Sequence, residues 1–373
     1  MLSVMDMKRT KRCILGWILA TALAVTLAQP ALASPTLSLS AANACLLDCD
    51  SGRVLYAKNA QQPGLIASTT KIMTALIVAE QCNPDARVKI PAEATGIEGS
   101  SMYLQAGEVL TVRDLLYGLM LHSGNDAAVA LAIFCAGDVG AFVDRMNQRA
   151  AQLRLEHTRF ANPNGLDNEQ NYASAEDLAH LACAALENDL LREVVSTRTY
   201  TNGLRTMTNH NKLLWRYDGA IGVKTGYTRA AGRILVSAAE RDGRRLVAVT
   251  MNAPDDWNDH TKLLDYGFSA FSEQIAVRAG QTLGVLPVMG GENGSVQLYA
   301  AQTLRCTLAE GEQYELRLEL PPFAYAPLLV GEALGQAVLL LNGRELARAD
   351  LICDSPVRMT EEPGWFDRLL GRN

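Results

Sequence analysis

Residues 66–76 read IASTTKIMTAL, and their apolar side chains recur at the spacing of one buried helix face. Ser68 and Lys71 lie in the first turn of this helix, three residues apart, where side chains face the same way. A serine hydroxyl is a weak nucleophile until a base takes its proton, and a lysine whose pKa is lowered by burial is such a base. The pair is therefore a candidate nucleophile and base, although a solvated lysine at a helix start is the commoner reason for this spacing.

A second motif, HSGND at residues 122–126, interrupts the apolar helical pattern of residues 110–135. It places Ser123 and Asn125 on a tight turn, where a hydroxyl can relay a proton and an amide can hold a peptide bond. The ordinary alternative is a helix break capped by serine and asparagine.

A third motif, VKTGYT at residues 223–228, puts Lys224 on a strand, followed by Thr225 and Gly226. A glycine lets another backbone approach the strand closely, so we expect a substrate to lie there. The lysine and threonine side chains can bind a carboxylate. The alternative is an ordinary strand end with an exposed lysine.

The flanking patterns predict an α/β domain whose sheet is completed by both ends of the domain. Strand patterns with turn residues occupy residues 43–60, 220–228, 232–243 and 244–253, the last two joined at Asp242-Gly243. Helical patterns lie between them, at residues 110–135, 142–153 and 174–188, and residues 260–271 close the domain as a helix. Residues 160–172 form a loop rich in Asn, Gly and Pro. We expect the catalytic domain to span residues 34–272.

The pattern changes after residue 273 to short β-type runs separated by Gly, Pro and Asn-Gly turns. It predicts a small all-β domain over residues 273–357. The tail, residues 358–373, reads as a short amphipathic helix with Trp365, Phe366 and two leucines on one side. We expect it to contact a membrane surface weakly, and the alternative is packing on the small domain.

The first 33 residues are typical of a secretory signal peptide. A basic start precedes the apolar run of residues 13–28, and ALA at residues 31–33 is a cleavage site that ends the run. The alternative, a membrane anchor, would need about 20 apolar residues. The mature protein is therefore expected outside the cytoplasm, at the outer face of the membrane, in the cell wall or in the periplasm.

Composition argues against several classes of function. A formal net charge of -6 disfavours nucleic-acid binding, which calls for a basic surface. The cysteines form no Cys-x-x-Cys and the five histidines are dispersed, so neither a metal nor another cofactor is predicted. One disulfide is compatible with export, and the sequence does not identify the pair. Cys45 and Cys49 lie on one face of a strand-like run.

The three motifs together, Ser-x-x-Lys, Ser-Gly-Asn and Lys-Thr-Gly in this order, are the signature of penicillin-binding proteins and serine β-lactamases. Residues 41–268 resemble the low-molecular-mass D-alanyl-D-alanine carboxypeptidases, serine peptidase family S11. The stretches that carry this likeness read ASTTKIMTAL, MLHSGNDAA, RFANPNGLD, ASAEDLAHLA and GVKTGYTRAAG. The later β region resembles the small C-terminal domain of the same proteins. The resemblance implies a transpeptidase-like fold of antiparallel sheet and helices, a peptidoglycan stem peptide as substrate, and β-lactam antibiotics as covalent inhibitors.

The resemblance also implies roles for the motif residues in acylation. Ser68 attacks the carbonyl between two D-alanines and Lys71 takes its proton. Ser123, with Asn125 orienting the peptide, returns a proton to the leaving D-alanine.

Further roles concern the bound substrate. The backbone N–H groups of Ser68 and Tyr227, which follows Gly226, form the oxyanion hole. Lys224 and Thr225 receive the terminal carboxylate.

One departure from the family pattern concerns that carboxylate. Family members often carry an arginine in the loop before the last helix of the domain, where it helps to bind the carboxylate. Here that loop, residues 252–260, reads NAPDDWNDH and has no arginine. Arg229 and Arg233 are the candidates to replace it.

Other activities share these residues. A β-lactamase needs a deacylating glutamate, usually in Glu-x-x-Leu-Asn between the second and third motifs, and the sequence has no such pentapeptide there. A DD-endopeptidase acting on cross-links would use the same residues. A non-catalytic wall-binding protein is expected to have lost the serine or a lysine, and neither is missing.

Overall fold

A computed structural model of the chain describes residues 37–203 and 205–360. The predicted signal peptide and residues 361–373 of the predicted tail lie outside the described residues.

A five-stranded antiparallel sheet forms the centre of the first domain, in the order β2-β1-β11-β10-β9. Its strands are β1 (Asn43–Asp48), β2 (Val54–Lys58), β9 (Ala220–Thr228), β10 (Gly232–Arg241) and β11 (Arg244–Met251). Strand β1 pairs with β11, with Leu46 opposite Ala248, so the two ends of the domain complete one sheet as predicted. Strands β10 and β11 meet at the predicted Asp242-Gly243 turn, where both residues have a positive φ.

Eight helices lie along the described part of the chain. They are α1 (Lys71–Gln81), α2 (Val112–Leu121), α3 (Asn125–Ala136), α4 (Val139–Gln152), α5 (Ala175–Leu186), α6 (Asp189–Ser196), α7 (Leu213–Arg216) and α8 (Asp256–Ala270). Short 3₁₀ helices occupy Ala67–Thr70 and Ala92–Ala94. Among the described residues no single helix is long and apolar enough to cross a membrane, although α3 and α4 together meet that test as a pair bent by 86°.

Side-chain caps fix where several helices begin. Ser174 accepts a hydrogen bond from the backbone of Asp177 and caps α5, as predicted. Helix α2 begins at Val112, two residues later than its apolar pattern suggested, because Thr111 and Asp114 form a capping box. Helix α8 begins at Asp256, four residues before the expected start.

Three two-stranded pairs complete the domain. They are β3 (Gly64–Leu65) with β6 (Tyr172–Ala173), β4 (Arg87–Lys89) with β5 (Val109–Thr111), and β7 (Thr199–Asn202) with β8 (Arg205–Thr208). The core surrounds α1, whose residues from Lys71 to Val78 are all buried. A helix buried on every side leaves its lysine without access to bulk water.

The second region is all-β, as predicted. Its strands are β12 (Phe271–Val277), β13 (Thr282–Met289), β14 (Ser295–Ala300), β15 (Leu304–Ala309), β16 (Tyr314–Glu319), β17 (Ala324–Tyr325), β18 (Ala333–Leu341) and β19 (Arg344–Ile352). Six of them form one sheet in the order β16-β18-β19-β14-β13-β17, and β12 pairs with β15. Leu298, Leu339 and Leu351 lie in its separate core.

Charged contacts join the two domains at the β1–β2 hairpin. Arg53 makes a two-point ion pair with Glu312, at 2.7 and 2.8 Å. The buried carboxylate of Asp48 accepts hydrogen bonds from Thr307 Oγ1 and from Arg244 Nε, both at 2.8 Å. Because Asp48 is fully buried, removing Arg244 would leave its charge uncompensated.

A disulfide joins Cys49 to Cys183 and so ties the end of β1 to α5. The Cα atoms are 5.5 Å apart, within the usual range for a disulfide. This identifies the pair that the sequence left open. Among the described residues five cysteines are free, namely Cys45, Cys82, Cys135, Cys306 and Cys353.

Candidate active site

The 3₁₀ helix at Ala67–Thr70 presents Ser68 at a sharp turn just before α1. Ala67 has a φ of 45°, in the left-handed region that non-glycine residues rarely occupy. Thr70 Oγ1 donates to the carbonyl of Ala67 at 2.9 Å and holds the turn. Backbone strain of this kind persists where the surrounding structure enforces it, often at functional sites.

Two glycines allow neighbouring segments to press against this turn. Gly165 has a φ of 85°, and a Cβ there would lie 1.9 Å from the carbonyl oxygen of Ala67. A Cβ at Gly226 would lie 3.3 Å from Ser68 N. From the sequence we expected Gly226 to make room for a substrate backbone. In the structure, the segment that lies close to Gly226 is the turn that bears Ser68.

Lys71 is fully buried, and its Nζ lies 3.0 Å from Ser68 Oγ. It also lies 2.7 Å from Asn125 Oδ1 and donates to the carbonyl oxygen of Asn164. Burial lowers the pKa of Lys71 well below its usual value, and the positive charge of Lys224 lowers it further, whereas the charge of Asp126 opposes the change.

The lowered pKa favours the neutral amine, and the three contacts are compatible with that form. A neutral lysine has two N–H groups and one lone pair. The carbonyl oxygens of Asn125 and Asn164 each accept one N–H, which leaves the lone pair to accept the Ser68 hydroxyl proton. The geometry is therefore that of a general base.

The second motif lies at the connection between the end of α2 and the start of α3. Ser123 is 5% exposed, has a φ of 62° and lines the same cleft as Ser68. Asn125 begins α3 and donates from Nδ2 to the carbonyl of Glu98 at 2.6 Å. The helix break is thus also a junction that brings Ser123 and Asn125 to Ser68.

Asp126 fixes the wall beside that junction. Its carboxylate accepts from Met102 N, Leu104 N and Ser101 Oγ at 2.9, 3.1 and 2.6 Å. The acid is 1% exposed, so these donors replace its lost hydration. Sequence reasoning gave it no role, although an acid in the first turn of an otherwise apolar helix was a visible signal.

The third motif lies on β9, at an edge of the sheet within the described residues. Lys224 is buried, so the alternative of an ordinary strand end with an exposed lysine is wrong. Its Nζ donates to the backbone carbonyl of Thr225 at 2.9 Å. Burial lowers the pKa of Lys224 to about 7. Thr225 and Tyr227 lie two residues apart and therefore face the same side of the strand.

A cleft of about 350 Å³ opens over these elements. Of the predicted site residues, five line it, namely Ser68, Ser123, Thr225, Gly226 and Tyr227. The other three, Lys71, Asn125 and Lys224, lie buried behind its surface. His210 also lines the cleft, and burial lowers the pKa of this histidine, as do the charges of Lys224 and His122.

The far wall of the cleft contains three residues that the motifs do not include: Arg233 on β10, and Asp256 and Trp257 at the start of α8. Arg229, the other candidate for the missing arginine, is exposed and does not line the cleft. No group of three or more His, Cys, Asp or Glu side chains able to hold a metal occurs in the described ranges.

Comparison with known families matches both domains. The family described as D-alanyl-D-alanine carboxypeptidase, peptidase S11, matches residues 28–255. The family described as the C-terminal domain of penicillin-binding protein 5 matches residues 271–358.

Individual relatives cover most of the chain. D-alanyl-D-alanine carboxypeptidase DacF of Bacillus subtilis is 34% identical over 344 residues, 87% of this chain and 86% of that protein. The structure of penicillin binding protein 5 from Haemophilus influenzae aligns with a TM-score of 0.77 at 32% identity, covering 86% of this chain and 98% of that one. The Streptomyces K15 DD-transpeptidase aligns with a TM-score of 0.61 at 37% identity, covering 62% and 98%. The chain belongs to the D-alanyl-D-alanine carboxypeptidase family, the S11 serine peptidases among the penicillin-binding proteins.

Proposed function

We propose that this protein removes the terminal D-alanine from peptidoglycan stem pentapeptides through an acyl-enzyme on Ser68. One observation carries the proposal: Lys71 Nζ lies 3.0 Å from Ser68 Oγ, with its other contacts made to carbonyl oxygens. A hydroxyl paired with a neutral amine in a cleft is an activated nucleophile.

The acylation step uses the buried residues behind the cleft. The Ser68 proton passes to Lys71 Nζ as Oγ bonds to the carbonyl carbon of the penultimate D-alanine. The N–H groups of Ser68 and Tyr227 stabilise the resulting oxyanion, a role supported by the close packing of β9 on this turn, where a Cβ at Gly226 would lie 3.3 Å from Ser68 N. Asn125, held by Glu98 O, orients the peptide bond.

The intermediate then collapses. The C–N bond breaks and the leaving D-alanine takes a proton through Ser123. Water attacks the ester, the Ser68 oxygen regains a proton, and tetrapeptide is released. In net terms, pentapeptide and water give tetrapeptide and D-alanine. A β-lactam would acylate Ser68 by the same route and remain bound, since its leaving group stays attached.

We place the mature protein at the outer face of the membrane, in the cell wall or in the periplasm. The basic and apolar pattern of residues 1–33 supports export, and the proposed substrate is a component of the wall.

Digestion of a purified pentapeptide muropeptide tests the proposed activity. We expect release of free D-alanine and formation of tetrapeptide, measured by chromatography with mass detection. Parallel reactions contain cross-linked dimers, or pentapeptide with a glycine acceptor, because one structural relative, from Streptomyces K15, is named a DD-transpeptidase. Cleavage of dimers alone would make the protein an endopeptidase, and a predominant transfer product would make it a transpeptidase.

The pH dependence of kcat/KM should be bell-shaped. Lys71 must be neutral to act as a base, so activity rises as it loses its proton. Protonated Lys224 adds positive charge behind the site that receives the carboxylate, so activity falls as the pH rises through its pKa of about 7. Peptide hydrolysis measured between pH 5 and 10 would give both limbs for the free enzyme.

The variant Lys224→Arg separates the two limbs. An arginine stays protonated throughout this range, so the alkaline limb should disappear while the acidic limb remains. An alkaline limb of unchanged position in this variant would remove Lys224 from the interpretation.

A further inference from the structure

The cleft contains a charged pair that the three motifs do not supply. Arg233 Nε lies 3.1 Å from Asp256 Oδ2, and its Nη2 lies 2.8 and 2.9 Å from the two carboxylate oxygens. The Asp256 side chain is 5% exposed, whereas the Arg233 side chain is 45% exposed. The acid is therefore the buried support, and the guanidinium is the part that faces the cleft.

Only one edge of the guanidinium is used by this support. Nη1 makes no hydrogen bond to any residue in the ranges 37–203 and 205–360, and Nη2 has a second N–H. These two nitrogens form the outer edge, which matches a carboxylate with two parallel hydrogen bonds. Trp257 flanks the group, with its ring centre 6.0 Å from the guanidinium carbon.

The sheet register places this edge beside the substrate strand. Arg233 on β10 is directly opposite Tyr227 on β9, and Thr225 is its diagonal neighbour on the same face. Diagonal neighbours lie about 7–8 Å apart, within reach of a long side chain. Arg233 and Thr225 therefore lie on neighbouring strands, and both line the cleft that Ser68 also lines.

The backbone around Arg233 is also fixed. Ala253 N donates to Arg233 O at 3.0 Å, and a Cβ at Gly232 would lie 2.5 Å from Asn252 Oδ1. The loop of residues 252–260, which has no arginine of its own, thus packs closely on β10. It also supplies Asp256, which orients Arg233 on that strand.

We propose that Arg233, held by Asp256, receives the terminal carboxylate of the peptide and makes the enzyme selective for free C-termini. This inference rests on the proposed peptidase function. The other cations near the cleft are less suited to a direct two-point contact with a carboxylate. Lys224 is buried behind the cleft, and Lys212 carries a compact ammonium that cannot form the paired hydrogen bonds of a guanidinium.

The test compares two substrates of one sequence, diacetyl-L-lysyl-D-alanyl-D-alanine and the same peptide ending in an amide. The measured quantity is the ratio of their kcat/KM values. The wild type should prefer the free carboxylate. In Arg233→Gln we expect kcat/KM for the carboxylate peptide to fall roughly 10²-fold, as for loss of one partner of a charge pair. The amide peptide should change little, so the ratio approaches one.

Further variants separate recognition from structural damage. Arg233→Gln leaves the buried Asp256 unpaired, so the double variant with Asp256→Asn removes both charges and should show the same collapsed ratio. Arg233→Lys keeps the charge but loses the two-point contact, and should recover part of the preference. Arg229→Gln, one exposed arginine outside the cleft, should keep the wild-type ratio.

Several results would overturn the inference. Equal losses on both peptides would show that Arg233 supports only the fold. An unchanged ratio in the Arg233 variants, or a collapse in Lys212→Gln instead, would place the carboxylate elsewhere. A wild type that hydrolyses neither peptide would refute the peptidase proposal itself, which is a different outcome.

Discussion

Replacing Ser68 by alanine should abolish covalent labelling by penicillin and lower peptide hydrolysis by roughly 10⁴–10⁶-fold, as in other enzymes that lose a serine nucleophile. Ser68 Oγ is the hydroxyl that contacts Lys71 Nζ, at 3.0 Å, so no bond to the substrate can form without it. The loss should fall on the chemical step, because the cleft and its binding groups remain.

Mass spectrometry after penicillin treatment supplies the measurement. The adduct should appear on the peptide that carries Ser68 in the wild type and be missing in Ser68→Ala. The melting temperature should change little, because the side-chain hydroxyl is only partly buried and alanine fits the same space. An adduct that maps to Ser123 would assign the nucleophile to the second motif instead.

Removal of the base should give the second large effect. Lys71→Met should slow acylation by fluorescent penicillin by about 10²–10⁴-fold, the usual loss for a general base. Lys71→Arg tests the cause, because arginine keeps a positive charge and its donors but does not release a proton in this pH range. It should be as slow as Lys71→Met.

Folding must be followed in both Lys71 variants. Lys71→Met leaves the carbonyl oxygens of Asn125 and Asn164 without their donor, which costs about 1–3 kcal/mol for each buried group. It also removes a buried amine, so the net change in the free energy of unfolding should be small. Wild-type acylation rates in Lys71→Arg would show that the lysine acts by its charge and not as a base.

Local patterns were sufficient to predict the frame of the catalytic domain. The strand runs, the Asp242-Gly243 turn and the Ser174 cap depend on neighbours within a few residues, so the sequence reveals them directly. Helix starts were less accurate. The capping box at Thr111 depends on side-chain contacts that periodicity does not report, and α8 begins early at Asp256 without a side-chain cap.

Convergence of distant segments could not be predicted in the same way. Asn164 lies in a loop whose composition indicated only turns, yet its carbonyl accepts from Lys71, 93 residues earlier. The partner of Cys49 lies 134 residues away, and the seven cysteines that follow residue 33 allow many pairings. The pairing of Arg233 with Asp256 likewise follows from how β10 and α8 pack, not from either segment alone.

The contacts that hold the small domain and the strand that bears the third motif lie at opposite edges of the central sheet. Arg53 and Asp48, which hold that domain, belong to the β1–β2 hairpin, whereas the cleft lies against β9 at the other edge of the sheet. Three to four strand spacings of about 4.8 Å separate them, roughly 14–19 Å. The sheet is therefore a rigid spacer that keeps the contacts holding the small domain apart from the groups that carry the chemistry.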